Sequence, residues 1–109
     1  MPSQAPLPIW KGNTLTRTYR FKTSPTALLD LTGSTLVFRA AWLGGEIRQN
    51  LAIAVPASGE AVLALTVEQT RSIPTGDTAR YEIERWIDGR QETLLFGKVV
   101  ASEWVNVDV

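Results

Sequence analysis

The sequence predicts an all-β fold: an antiparallel two-sheet sandwich, immunoglobulin-like, with about seven strands and one short helical turn. Three observations carry this expectation. Apolar and polar residues alternate with period two over most of the chain. Turn residues interrupt that alternation about every ten positions. No long stretch repeats with the period of an amphipathic helix. A chain of 109 residues, 44% hydrophobic, can fill one two-layer core and has no room for a second domain. Residues 9–109 are therefore expected to form a single β-sandwich domain.

Three of the six prolines, Pro2, Pro6 and Pro8, fall in the first eight residues. Proline lacks a backbone donor and favours extended conformations, so residues 1–8 read as a flexible or partner-docking arm, with a frayed terminus as the plainer alternative. From Thr14 to Lys22 the alternation is strict, with Thr16, Thr18 and Arg20 on one face and Leu15, Tyr19 and Phe21 on the other. Thr35–Leu43 continues with Leu36, Phe38, Ala40 and Trp42 in one phase and a second, mostly apolar phase opposite, which marks a strand interior to its sheet. Leu51, Ile53 and Val55 precede a break at Pro56-Ala57-Ser58-Gly59, and Leu63, Leu65 and Val67 resume the pattern, which reads as a hairpin. Thr66, followed by Glu68 and Gln69, offers a helix cap, and Pro74-Thr75-Gly76 ends the single turn that follows. The last third predicts a β-hairpin: Ala79, Tyr81, Ile83 and Ile87 share a face, Asp88-Gly89 turns, and Glu92–Val107 returns.

Composition closes most catalytic schemes. The chain has no cysteine and no histidine, which removes disulfides, thiolate chemistry, the usual transition-metal ligand and the usual general base. Eleven basic residues balance eleven acidic ones, so no general field attracts nucleic acid, an anionic membrane or an acidic substrate. The first eight residues lack the charge and apolar run of a secretory signal, and nothing reaches the roughly 18 consecutive apolar residues of a membrane span. The expectation is a chain kept in solution without membrane insertion.

Glu82, Glu84 and Glu92 suggest a carboxylate pair of the glycosidase kind. Period-two phasing sets Glu82 and Glu84 opposite Tyr81 and Ile83, so a solvated strand face with partners such as Arg80 or Arg90 is the better reading. Asp30, Asp77 and Asp88 form no Asp-x-Asp-x-Asp calcium run and sit where aspartate bonds turn amides. Gly44-Gly45 belongs to no phosphate loop. No cofactor, metal site, catalytic residue or small-molecule substrate is expected, and the chain is read as a non-enzyme.

Four tryptophans remain. Trp42 shares the Leu36 and Phe38 phase and is expected in the core, whereas Trp86 is in phase with Glu82 and Glu84 and is expected outside, as an interface contact or packed beneath an arginine. Trp10 and Trp104 flank the ends. The apolar run containing Val105 and Val107 would invite pairing if left at a sheet edge, so a partner, another protomer or the N-terminal arm should cover it. Trp10, Trp86, Trp104, Val105 and Val107 are thus the candidate interface residues.

Several pieces occur in a telling order: Asp30-Leu31-Thr32-Gly33 leading into Leu36–Arg39, Leu65 to Thr70 followed by Ile73-Pro74-Thr75-Gly76, Tyr81 to Glu84, the Asp88-Gly89 turn, and Leu94 to Val99. On these the chain, over about residues 12–105, resembles the small β-sandwich structural proteins of tailed bacteriophages and prophages, particularly the N-terminal domain of upper baseplate or tail-fibre-associated proteins. The resemblance implies a virion subunit in the tail, baseplate, neck or head, assembled in the host cytoplasm with other virion proteins and with copies of itself. The chain lacks the long helical or receptor-binding extension of multi-domain members, which favours a stand-alone adaptor. The alternative from another class is a carbohydrate-binding module, which needs coplanar exposed rings.

Overall fold

The computed structural model describes residues 3–24 and 26–102. Eleven strands form among the described residues: β1 (Ser3–Gln4), β2 (Leu7–Trp10), β3 (Leu15–Arg20), β4 (Lys22–Ser24), β5 (Ala27–Leu28), β6 (Thr35–Trp42), β7 (Gly45–Asn50), β8 (Ala52–Val55), β9 (Glu60–Leu65), β10 (Gly76–Ile87) and β11 (Arg90–Ser102). The all-β expectation holds, and the count of about seven strands is corrected to eleven. The additions are strands that leave little period-two signal. β1 and β5 are two residues long and β4 is three, while β7 buries only Ile47.

The strands make a large sheet, a small sheet and a separate β4–β5 ribbon. In the large sheet β1 and β2 run end to end along β11, and β10, β6 and β7 follow in that order; the small sheet has the order β3-β9-β8. Among the described residues, only the β1 and β2 pairings with β11 are parallel. Leu7, Ile9, Leu36, Phe38, Tyr81, Ile83 and Val99 of the large sheet pack in one cluster with Ala61, Leu63 and Leu65 of the small one, so the two sheets face each other across a shared core. Phe38 and Tyr81 stack within it, ring centroids 5.8 Å apart.

The proline-containing start is not a free arm. From Ser3 onward it lies on β11, with Ser3 beside Leu95 and Trp10 beside Ser102. Alternation explains this, because Leu7 and Ile9 point inward and are 1% and 2% exposed while Pro8 and Trp10 point out. An edge strand tolerates proline because one row of its backbone donors needs no partner. Thus, of the three ways to cover the terminal edge, the chain's own N-terminal segment covers it as far as Ser102. The seating is tight at Gly97, where a Cβ would lie 2.1 Å from the Ala5 carbonyl oxygen. That oxygen also accepts a 2.7 Å hydrogen bond from the Tyr81 hydroxyl.

The turn chemistry follows the sequence. Asp88 and Gly89 have φ of 51° and 74°, the paired left-handed conformations that a two-residue hairpin loop requires. Helix α1 (Val67–Ser72) has a capping box, with the Gln69 amide donating to Thr66 Oγ1 and the Thr66 amide donating to Gln69 Oε1. A 3₁₀ turn, Pro56–Ser58, makes the expected break between β8 and β9. The buried Thr70 hydroxyl accepts from the Gly12 amide and donates to the Asn13 carbonyl, which fastens the β2–β3 connection to α1. Asp30 bonds the amide and hydroxyl of Thr32, as a turn aspartate should.

Candidate functional site

Because Leu36, Phe38, Tyr81, Ile83, Leu95 and Val99 face the core, period-two geometry turns the alternate residues of β6, β10 and β11 onto the outer face of the large sheet. Register sets these side chains in rows. One row runs Phe96, Glu82, Arg39, Arg48 across β11, β10, β6 and β7, and the next runs Lys98, Arg80, Ala41, Glu46. Between the rows lies a depression of about 580 Å³, floored in part by Ala41, Phe96 and Gly97 and flanked by Arg39, Arg80 and Glu82. The small side chain of Ala41, among the longer Arg39, Arg80 and Glu82, leaves this space.

The centre of the face is charged. Arg39 donates to Glu46 at 2.9 Å, and Arg48 approaches the same Glu46 oxygen at 3.7 Å. The Arg39 hydrogen bond holds the Glu46 carboxyl below its ordinary value. Glu82 and Glu84 have different partners from those expected: Thr93 reaches Glu82 at 3.5 Å, and the Gln91 amide donates to Glu84. Glu84 is also only 7% exposed, which corrects the reading of a solvated carboxylate. A register shift between Ile83 and Glu84 sets it beside Thr93, with Val37 on the other flank. Burial, and then repulsion from Glu82, pushes its carboxyl up, against the pull of Arg39 and Arg48. Glu92 bonds Arg85, not Arg80 or Arg90. Arg85 sits at one end of the core, where it also donates to Ser34 Oγ and the Asp30 carbonyl.

The candidate interface residues separate. Trp86 and Trp10 lie on this face, 43% and 48% exposed, as phase requires of Trp86. Their partners on β11 are Gln91 and Ser102. At about 3.3 Å per residue the two indoles therefore stand roughly 35 Å apart, at opposite ends of the sheet. Phe96 and Val100, 37% and 38% exposed, share the Trp10 side. Trp104, Val105 and Val107 lie outside the described residues. Trp42 is half-buried against the core rather than fully inside it, with its indole over Gly45.

Sequence reasoning missed Leu43, which is fully exposed between Trp42 and the left-handed Gly44 in the β6–β7 turn. Its signal was its place beside Gly44-Gly45, which takes it out of the strand pattern. It also missed Phe96 and Val100, although both are in phase with Lys98. Among the described residues, no three acidic side chains gather where they could hold a metal ion. Chemically, the face offers a charged middle, Arg39, Glu46, Arg48 and Glu82, between apolar side chains towards its two ends. Comparison with protein-family models and with curated proteins found no match.

Proposed function

We propose that the chain is a non-enzymatic structural subunit of a phage or prophage virion, acting through protein–protein assembly. The observation that carries this reading is the outer face of the large sheet, which presents exposed Trp10, Phe96, Val100 and Trp86 around a patterned charged centre. Tryptophan and arginine are among the residues most enriched at interface hot spots. The strand orders, β1/β2-β11-β10-β6-β7 against β3-β9-β8, support an immunoglobulin-like arrangement for the sandwich.

The spacing of the aromatic side chains disfavours the carbohydrate-binding alternative. Phe96 lies five residues along β11 from Gln91, the partner of Trp86, and six from Ser102, the partner of Trp10. These steps are roughly 15–20 Å each, too far apart for adjacent sugar rings to stack on a continuous platform. The test is mass spectrometry of particles purified from cells that carry the gene, together with a Trp86→Ala strain. The chain should be present at fixed stoichiometry and should be depleted from particles by Trp86→Ala. A chain absent from particles, or one that binds glycans in a Trp86-dependent way, would overturn the proposal.

A further inference from the structure

The two edges of the large sheet are built differently. On the β1/β2 side, Pro8 lies in the strand and Pro6 between the strands, and neither has an N–H to offer an incoming strand. On the other side β7 contains no proline and pairs with β6 without a bulge from Asn50, opposite Val37, to Gly45, opposite Trp42. Among the described residues, no strand pairs with its outer edge. The small sheet offers less: β8 has four residues and an irregular register, and β3 carries Arg17 and Arg20 with no acid.

The side chains of β7 complement themselves. Glu46 and Arg48 lie on the outer face, and Ile47 between them points to the core, 7% exposed. Consider two copies of this strand antiparallel about a two-fold axis, with Ile47 against the partner's Ile47. Glu46 then stands opposite the partner's Arg48, and the symmetry repeats the pair. Centring on Glu46 or on Arg48 instead sets like charges opposite each other, and a register slipped by one residue turns outer side chains against inner ones. Of the centres along β7, only Ile47 sets each charge against an opposite one. Both intramolecular cations approach Oε2 of Glu46, which leaves Oε1 open to a third.

We propose that β7 is a self-association edge, through which two copies of this chain join antiparallel over Gly45–Gln49 into one continuous sheet. This deepens the assembly reading by naming one contact, and rests on that reading for its biological role. The test is light-scattering mass across a concentration series, with amide exchange along β7 as a second measurement. The wild type should pass from one chain to two, with β7 amides slowing as it does so. Arg48→Glu should weaken the dimer by roughly tenfold, and Glu46→Arg combined with Arg48→Glu should restore it. The first variant still gives Arg39 an acid, because residue 48 lies directly opposite Arg39. Should it fail to fold, Glu46→Arg alone sets a guanidinium against the partner's Arg48 and tests the same pair. A strict monomer, or a dimer that ignores these charges, overturns the edge. A dimer lost only in Trp86→Ala overturns the edge and leaves the assembly reading standing. A β7 dimer formed by a chain absent from particles does the reverse.

Discussion

Replacing Gly97 by alanine tests how the first strand is held. The new Cβ would meet the Ala5 oxygen at 2.1 Å and the Ala5 carbonyl carbon at 2.9 Å, both backbone atoms that cannot rotate away. The chain then has two responses. It can shift the β1–β2 junction outward by about an ångström, at the 1–3 kcal/mol typical of overpacking. Or it can release the segment, which exposes Leu7 and Ile9 at about 1.5–3 kcal/mol each and gives up the Tyr81 hydrogen bond at about 1 kcal/mol more. The shift costs less, so Gly97→Ala should lose about 1–3 kcal/mol. That is a substantial part of the roughly 5–15 kcal/mol of a domain this size, and a fall in Tm of about 5–15 °C. Urea unfolding measures the loss, and amide exchange locates it: protection at Leu7 and Ile9 should drop while that of Phe38 and Leu63 falls only with global stability. A variant as stable as the wild type, with unchanged protection at Leu7, would refute the reasoning.

Three further outcomes follow from the same packing. Burial, and then the neighbouring Tyr19, pushes the Tyr81 hydroxyl up to about 12, against the opposing pull of Arg17. Its contribution is therefore complete below about pH 10 and is lost as pH rises towards 12, so thermal melts of Tyr81→Phe should start lower at neutral pH and converge with the wild type across that window. Glu84 is also raised, so its stabilising protonated form is lost as pH rises; Glu84→Gln should raise Tm at pH 7 and lose this advantage in acid, and a lower Tm at pH 7 would contradict its placement. Thr70→Val leaves the Gly12 amide and the Asn13 carbonyl without their hydroxyl partner, and should cost about 1–3 kcal/mol in urea with an unchanged m value.

Much of this architecture is legible in the sequence where period two is sustained. Leu36, Phe38 and Ala40, the Thr66 cap and the Asp88-Gly89 hairpin all sit as their local patterns require. Elsewhere the pattern was present but masked. Leu7 and Ile9 alternate with Pro8 and Trp10, yet three nearby prolines argue more loudly for an arm. β7 buries one side chain and is otherwise polar, so nothing in its composition announces a strand. The site divides in the same way. Phase alone turns Trp86 outward, because phase is a local property of β10. The burial of Glu84 depends on Val37, Thr93 and Gln91 from two other strands, and on a register shift that no local pattern encodes.

The parallel seating of the first strand against the last also determines how the domain bears load. Tension applied through Ser3 and Ser102 pulls β1/β2 and β11 in opposite directions along their common axis. The pairs from Ser3–Leu95 to Trp10–Ser102 are then sheared together instead of being opened one after another. The domain should therefore yield to pulling at a higher force through these points than through β10 and β11 at their shared turn, a difference that single-molecule force spectroscopy reads directly. Pulled through these two points, the paired strands offer no free end from which they can peel, and every hydrogen bond between them has to yield at once.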